Sequence, residues 1–475
     1  MALFCKNTNF TPNIRAMAFP PEFITRTKAI LGAEYEQLEE ALSADAPVSI
    51  RMNRKKSDYT PAGEPVPWSH TGYYLPERLS FTFDPLFHAG HYYVQEASSM
   101  FLEQAVRQLI NEPVTCLDLC ASPGGKSTLL LSTLPEGSLL VSNEIIRTRS
   151  HILAENLSKW GYPASIVTNN DPAELGELTH FFDVIVTDVP CSGEGMFRKD
   201  AGSMDEWSPA NVELCAGRQR RILNDVWNAL KPGGLLIYST CTYNTEEDEE
   251  NVQYIVEQLG AEPVSLDIPD TWQISGPLKY NHPVYRFFPH KTKGEGFFLA
   301  VLRKEEGEII RPRQWKDKKG KDKTKAPAVP VQAETWIQHK DQYQFEVRGE
   351  TVRAFPKEYY PLLQQMYSSL KVIGAGITLG EVKGKDLIPD QSLALSYHLN
   401  REAFSSCEIN WEEAIRYLRK EALVLPPDLP KGYVLLTYKG AALGFVKHLG
   451  NRANNLYPQE WRIRSGYLPE DVRLL

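Results

Sequence analysis

The sequence predicts an α/β fold built on a mostly parallel sheet, and three observations support this prediction. Five short, nearly continuous apolar runs lie between residues 96 and 303. Helix-length segments separate these runs, and one segment ends in the helix-stopping sequence Lys231-Pro-Gly-Gly. Apolar strands that alternate with helices are typical of a parallel sheet covered by helices on both faces. The predicted strands are residues 114–120, 138–143, 165–168, 183–188 and 235–239.

Further elements are predicted on either side of these strands. An amphipathic helical pattern runs through residues 23–42. Residues 48–56 alternate like a short strand and end in basic residues, and a solvated turn fits this segment equally well. Residues 296–302 are predicted as a late strand that closes one edge of the sheet.

These patterns divide the chain into four parts. We expect an N-terminal region at residues 1–95, the α/β core at 96–303, a linker at 304–330 and a C-terminal α+β or mostly β module at 331–475. The linker is rich in lysine and arginine, a composition that is usually solvated and disordered. Because the whole chain has a formal net charge of −8, the linker is also the most obvious place for a polyanion to bind.

The composition restricts the class of protein. Hydrophobic residues make up 42% and charged residues 24%, as in soluble globular proteins. No apolar run approaches the roughly 18 residues of a membrane span. The first residues also lack the apolar block of a signal peptide, so we expect a cytoplasmic protein. The cysteines are scattered and show no CxxC spacing, which argues against a disulfide framework and against bound metal.

The turn after the first predicted strand is a candidate cofactor site. It reads Asp-Leu-Cys-Ala-Ser-Pro-Gly-Gly-Lys at residues 118–126, and its glycines allow a ligand close to the backbone at a helix start. The turn has neither P-loop nor GxGxxG spacing, which weakens the interpretation as an NAD-dependent oxidoreductase. Glu144 ends the next strand, where an acid can accept hydrogen bonds from ribose hydroxyls, and Asp171 follows the third, where it could meet an adenine. These strand ends favour S-adenosylmethionine. The candidate contacts are Cys120, Ala121, Ser122, Pro123, Gly124, Gly125, Lys126, Glu144, Asp171 and Asp188.

Two further strand ends each carry a cysteine. Cys191 lies in Asp-Val-Pro-Cys-Ser-Gly, and Cys241 lies in Ser-Thr-Cys-Thr. Methylation at C5 of cytosine requires a cysteine, because C5 becomes nucleophilic only after a thiolate has added to C6. The reaction also needs an acid near N3, for which Asp188 is suitably placed, and a base that removes the C5 proton. The residues alone do not decide which cysteine is the nucleophile, and the remaining cysteines are expected to be packing residues.

Several of these motifs together resemble a known family. Residues 92–99, 117–127, 188–193 and 239–249 are similar, in this order, to motifs of the NOL/NOP2/Sun (RsmB/NOP) family of RNA cytosine-C5 methyltransferases. Residues 19–23 and 450–455 are similar to the bacterial members that act on 16S ribosomal RNA and carry a C-terminal PUA-like region. The resemblance implies a class I, Rossmann-like methyltransferase core, flanked by RNA-binding regions at both ends of the chain. It also implies that Cys241 is the nucleophile and that Cys191 assists product release.

The resemblance leads to a definite expectation with named alternatives. We expect an S-adenosylmethionine-dependent enzyme that methylates cytosine C5 in 16S ribosomal RNA and acts as a monomer. One alternative is a methyltransferase acting on transfer RNA. Another acts on DNA, with Cys191 as the nucleophile. A third is a non-catalytic ribosome-assembly factor that binds RNA and retains the pocket only as part of the fold.

Overall fold

The computed structural model describes residues 19–309, 328–468 and 471–475. Most of the predicted basic linker, together with Cys5 and the rest of the N-terminal segment, lies outside these residues. The predicted fold class is confirmed, because a central sheet with a parallel middle is covered by helices on both faces. Across the three described ranges, no helix has the length and apolar character needed to span a membrane.

The N-terminal part consists of helices packed beside a small sheet. The single helical pattern predicted at residues 23–42 forms two helices, because Gly32 takes a φ of +56° and ends the first one. The predicted strand at residues 48–56 ends early, and its basic residues 54–56 form a turn. The four strands have the order β2-β3-β1-β4. The elements are α1 Pro21–Leu31, α2 Tyr35–Ser43, β1 Val48–Met52, β2 Glu64–Pro65, β3 Gly72–Leu75, α3 Pro85–His88 and β4 Tyr92–Val94.

The core is a nine-stranded sheet. Its main order is β10-β12-β9-β8-β5-β6-β7-β15, and β11 pairs with β12. Strands β9, β8, β5, β6 and β7 are mutually parallel, and they correspond to the five predicted apolar runs. The core elements are α4 Leu102–Leu109, β5 Thr115–Asp118, α5 Gly125–Thr133, β6 Leu139–Asn143, α6 Arg147–Trp160, β7 Ser165–Thr168, α7 Pro172–Gly176, β8 Phe182–Asp188, α8 Ala201–Glu206, α9 Pro209–Val226, β9 Leu230–Thr240, α10 Glu249–Leu259, β10 Ala261–Val264, β11 Val284–Phe287 and β12 Phe297–Lys304.

Strand β12 differs from its prediction in one respect. It pairs with β9 as expected of a late strand, but it is not an edge strand, because β10 and β11 both pair with it. The two added strands are four residues long and are separated by irregular chain. Such short segments carry too few residues for an apolar pattern to be recognised.

The C-terminal part forms two four-stranded sheets. The first has the order β13-β14-β16-β17, and the second has the order β18-β19-β20-β21. The elements are α11 Val331–Thr335, β13 Tyr343–Arg348, β14 Thr351–Pro356, α12 Tyr360–Ser369, β15 Val372–Ala375, β16 Ile377–Lys383, β17 Asp386–Pro389, α13 Gln391–Leu395, β18 Ser405–Glu408, α14 Trp411–Leu418, β19 Gly432–Tyr438, β20 Ala441–His448 and β21 Ala453–Asn455.

One C-terminal strand belongs to the central sheet. Strand β15 pairs antiparallel with β7, with Val372 opposite Thr168 and Ala375 opposite Ile166. The sequence predicts a separate module from residue 331 onward, whereas the chain here returns to the core before it forms β16. Because β15 adds a strand to the central sheet beside β7, the C-terminal part packs directly against the core.

The turn from β15 into β16 provides a test of this arrangement. Gly376 has a φ of +60°, and an added Cβ would lie 2.3 Å from the Ala354 carbonyl oxygen, whereas a Cβ on Gly374 would meet no atom within 4 Å. We expect Gly376→Ala to lower the free energy of unfolding by at least about 1–2 kcal/mol. The control Gly374→Ala should leave it unchanged or raise it by up to about 1 kcal/mol. Urea unfolding measures both, and equal effects would contradict the close approach of the β15–β16 turn to β14.

Candidate active site

The candidate site lies where the carboxyl ends of the five parallel strands meet. In an open parallel sheet, ligands bind at this edge because the loops that follow the strands converge there. The residues predicted from the sequence follow β5, β6, β7, β8 and β9 in turn, and all are therefore brought to the same edge.

The turn after β5 is shaped by its glycines and by a buried acid. Gly124 has a φ of +113°, and an added Cβ there would lie 3.3 Å from the Leu153 and Leu157 side chains of α6. Asp118 is buried, and its Oδ2 accepts a hydrogen bond of 2.6 Å from Ser127 Oγ. Burial raises the pKa of Asp118 to about 7. Its Oδ1 is buried without a hydrogen-bond partner among the described residues, so the turn presents an unsatisfied acceptor.

The two acids after β6 and β7 occupy different environments. Glu144 is 3% exposed, and its Oε1 accepts a hydrogen bond of 2.9 Å from the Ile146 N–H. Its Oε2 lies 3.5 Å from Arg149 Nη2. Asp171 caps the start of α7, where its Oδ1 accepts from the Ala173 N–H at 3.0 Å.

The C-terminal part also contacts the loop after β7. The Lys371 backbone N–H donates to Asn170 Oδ1 at 3.0 Å, and Lys371 Nζ donates to Asn169 Oδ1 at 2.8 Å. The sequence analysis missed these contacts. No local pattern relates residues that lie some two hundred positions apart in the chain.

Lys126 contacts the strand that precedes Cys191. Its Nζ lies 2.8 Å from Asp188 Oδ2, and Ser239 Oγ donates to Asp188 Oδ1 at 2.9 Å. Burial by itself would lower the pKa of Lys126, but the Asp188 carboxylate outweighs burial and raises that pKa above its ordinary value. The structure thus places a cation in contact with Asp188, one of the three residues predicted to be catalytic.

The two cysteines are in direct contact. Parallel pairing sets Asp188 of β8 opposite Ser239 of β9, so both chains leave the sheet side by side. The Cys191 and Cys241 sulfurs lie 3.1 Å apart. The hydrogen bond to Cys241, together with burial, raises the pKa of Cys191 well above its ordinary value. The raised pKa favours the protonated form of Cys191 at neutral pH.

The other described cysteines lack such an arrangement. Cys116 and Cys215 are buried, and Cys407 lies in the second C-terminal sheet. Cys120 lies in the cofactor turn, where burial raises its pKa to about 12. Among the described residues, no group of three or more histidine, cysteine or acidic side chains is arranged to hold a metal ion.

A buried ion cluster fixes the chain that follows Cys241. Arg286 of β11 is 2% exposed, and its Nη1 lies 3.1 Å from Asp248 Oδ2. Its Nε donates to Glu249 Oε1 at 2.7 Å, and its Nη1 donates to the Tyr243 carbonyl oxygen at 3.0 Å. Burial is the main cause of an Asp248 pKa well above its ordinary value. The acidic run at residues 246–250 would be solvated at an ordinary helix start, whereas here Arg286 holds two of its members inside the protein.

Comparisons with known proteins agree with this architecture. The family model for the N-terminal domain of 16S rRNA methyltransferase RsmF matches residues 19–97. The model for 16S rRNA methyltransferase RsmB/F matches residues 108–303, which contain both cysteines and the cofactor turn. The model for the methyltransferase RsmF PUA domain matches residues 404–463, the part that forms the second C-terminal sheet.

Similar proteins extend over nearly the whole chain. The chain is 32% identical to ribosomal RNA small subunit methyltransferase F of Aliivibrio fischeri strain MJ11, over 85% of this chain and 86% of that protein. It is 30% identical to the protein of the same name from Erwinia tasmaniensis, over 95% of this chain and 98% of that protein. Among solved structures, a methyltransferase homolog protein from Pyrococcus horikoshii matches with a TM-score of 0.52 at 26% identity, covering 62% of this chain and all 100% of that one.

The buried cluster generates a prediction about stability. Arg286→Met keeps the volume but leaves Asp248 and Glu249 buried without their cation, which typically costs about 3–5 kcal/mol. As a control, Arg221→Met removes a pair with Asp225 in which the Arg221 side chain is 66% exposed, and the change should stay within about 0.5 kcal/mol. Chemical denaturation measures both. A small effect of Arg286→Met would mean that the cluster does not support the loop after Cys241.

Proposed function

The chain belongs to the RsmF family of 16S ribosomal RNA methyltransferases, and we propose that it transfers a methyl group from S-adenosylmethionine to C5 of a cytosine in that RNA. The observation that carries this proposal is the contact between the Cys191 and Cys241 sulfurs, 3.1 Å apart. Transfer to a nitrogen or a hydroxyl would need no thiol. A pair of cysteines at the methyl-transfer edge therefore favours the one target that must be activated by sulfur.

The residues at the sheet edge fit S-adenosylmethionine. The turn after β5 places Gly124 and Gly125 at the start of α5, and Asp118 Oδ1 is a buried acceptor that lacks a partner among the described residues. We assign the turn at residues 120–126 to the methionine portion, Glu144 to the ribose hydroxyls and Asp171 to the adenine side. When bound there, S-adenosylmethionine supplies an electrophilic methyl group. A ligand without phosphates suits a turn that lacks the GxGxxG spacing.

The two cysteines have different roles in the proposed reaction. The hydrogen bond between the sulfurs and burial both raise the pKa of Cys191, which favours a protonated Cys191 during the addition step. We propose that Cys241 Sγ bonds to C6 and that the C5–C6 π electrons make C5 a nucleophile. Asp188 ends β8, the strand that precedes Cys191, and is paired with Lys126. We assign Asp188 the hydrogen bond on the N3 side of the ring.

Cys191 acts after the methyl transfer. Once Cys241 Sγ is bonded to C6 and the methyl group is on C5, Cys191 gives up its own proton to solvent and accepts the proton from methylated C5. The electron pair of that C–H bond re-forms the C5–C6 double bond, and Cys241 leaves as a thiolate. The target cytosine must be unpaired or flipped out, because both atoms are attacked from the ring face.

The cofactor assignment is tested at Glu144. Glu144→Ala should weaken S-adenosylmethionine binding by about tenfold, since hydrogen bonds to a charged group are worth about 1.5–3 kcal/mol. Glu112→Ala, an exposed acid before β5 and therefore at the opposite edge of the sheet, is the matched control and should bind normally. Calorimetric titration measures the affinity. Equal affinities for wild type and Glu144→Ala would rule out the ribose contact.

The cysteine roles are tested by trapping the enzyme on radiolabelled 16S ribosomal RNA. Cys241→Ala should form neither adduct nor product. Cys191→Ala should add to C6 and transfer the methyl group but stall before release, leaving a protein–RNA adduct that survives a denaturing gel. Cys215→Ala, a buried cysteine on α9, is the control and should turn over normally.

The reverse pattern would identify Cys191 as the nucleophile, as in DNA cytosine methyltransferases. Adduct in neither variant would overturn covalent catalysis. Parallel reactions with transfer RNA and with DNA separate the substrate classes, and equal modification of all three would contradict a specific ribosomal substrate.

A further inference from the structure

We propose that Glu194 and Glu247 are positioning residues that hold the two cysteine sulfurs on one target base, a role that rests on the proposed cytosine-C5 reaction. We define the Cys191 loop as residues 189–196 and the Cys241 loop as residues 241–248. Each loop contributes one buried carboxylate, and each carboxylate binds the backbone of the other loop. Together they form a reciprocal clamp.

Glu194 of the Cys191 loop binds three consecutive residues of the Cys241 loop. Its Oε2 accepts hydrogen bonds from Thr242 Oγ1 at 2.6 Å, from the Tyr243 N–H at 2.8 Å and from the Asn244 N–H at 3.0 Å. Its Oε1 accepts from Trp207 Nε1 at 3.0 Å. Glu194 is 2% exposed, so water does not compete for these donors.

Glu247 of the Cys241 loop binds the Cys191 loop in turn. Its Oε2 accepts from the Ser192 N–H at 3.0 Å, directly beside Cys191. The same carboxylate accepts from Asn244 Nδ2 and from Gln219 Nε2 of α9, both at 2.8 Å. The Gly195 N–H also donates to the Cys241 carbonyl oxygen at 2.9 Å, which adds a direct backbone link.

The clamp holds the two loops together beyond the point where strand pairing ends. Strands β8 and β9 are paired as far as Asp188 and Ser239, and no strand pairing extends to the two cysteines. In every hydrogen bond described above, the carboxylate of Glu194 or Glu247 accepts and the partner group donates. Burial raises the pKa of Glu247 to about 7, although the hydrogen bonds from Ser192 and Asn244 act in the opposite direction. A neutral amide in either position would direct an NH₂ group at other donors.

The clamp matters differently for the two halves of the reaction. Addition to C6 needs Cys241 alone, whereas release needs Cys191 close to C5 of the base that Cys241 already holds. Loosening the clamp should therefore impair release more than addition. A residue that merely stabilises the fold would instead lower both steps together.

The test compares Glu247→Gln and Glu194→Gln in the full chain, with wild-type cysteines. Each should lower kcat by about tenfold and increase the steady-state RNA adduct several-fold, while the S-adenosylmethionine affinity stays within about twofold. Glu103→Gln is the matched control. Its carboxylate is equally buried and accepts from Ser69, His70 and Arg107 on the N-terminal side, so it should not increase the adduct. Thermal unfolding shows that each variant is folded.

A milder variant covers the case in which both substitutions prevent folding. Trp207→Phe keeps the ring but removes the Nε1 donor to Glu194, and it should still increase the ratio of adduct to product. The clamp is overturned if adduct and product fall together in the folded variants, or if neither changes. Cys191→Ala in the same assay distinguishes the two proposals. If Cys191→Ala traps no RNA adduct, the proposed reaction fails. If Cys191→Ala traps the adduct while the clamp variants behave as wild type, only the clamp proposal fails.

Discussion

The parallel pairing of β8 with β9 is the interaction on which the candidate active site depends. Their register sets Asp188 opposite Ser239, and the two chains leave the sheet together, three residues before Cys191 and two before Cys241. A thiol on either strand alone would be an ordinary packing residue. Side by side, the sulfurs lie 3.1 Å apart, and their hydrogen bond together with burial raises the pKa of Cys191. The sheet therefore brings together the two thiols that the proposed reaction uses.

Beyond the strand ends, buried charged side chains hold the site, and protein groups take the place of the water that would otherwise solvate these charges. The positive charge of Arg286 balances the negative charges of Asp248 and Glu249, and that of Lys126 balances the charge of Asp188. Glu194 and Glu247 are held instead by uncharged donors. A buried ion pair adds little net stability compared with apolar packing, but removing one partner is costly, so such clusters specify a geometry more than they strengthen a fold. A reaction that must place two sulfurs on one ring benefits from that specificity.

The flanking parts of the chain also support the cofactor turn. Arg51 of β1 is fully buried and donates to Thr128 Oγ1 of α5 at 2.6 Å, and its guanidinium lies 4.6 Å from the centre of the Trp160 ring. On the other side, β15 completes the sheet beside β7, and Lys371 binds the loop that leads to Asp171. Both terminal parts therefore contact the core directly. The N-terminal part supports the start of α5 after the turn, and the C-terminal part supports the loop after β7.

The sequence by itself determined the α/β class, the five parallel strands, the glycine turn and the residues at each strand end. These features are local, because a buried parallel strand is apolar along its length and the strand ends meet at one edge. Only the tertiary structure decided that Lys126 pairs with Asp188, that β15 joins the core and that two of the charges at residues 246–250 are buried against Arg286. Each of these contacts joins residues far apart in the chain. The acidic run alone is typical of a solvated helix start, and it becomes part of the protein interior only because β11 places a buried guanidinium against it.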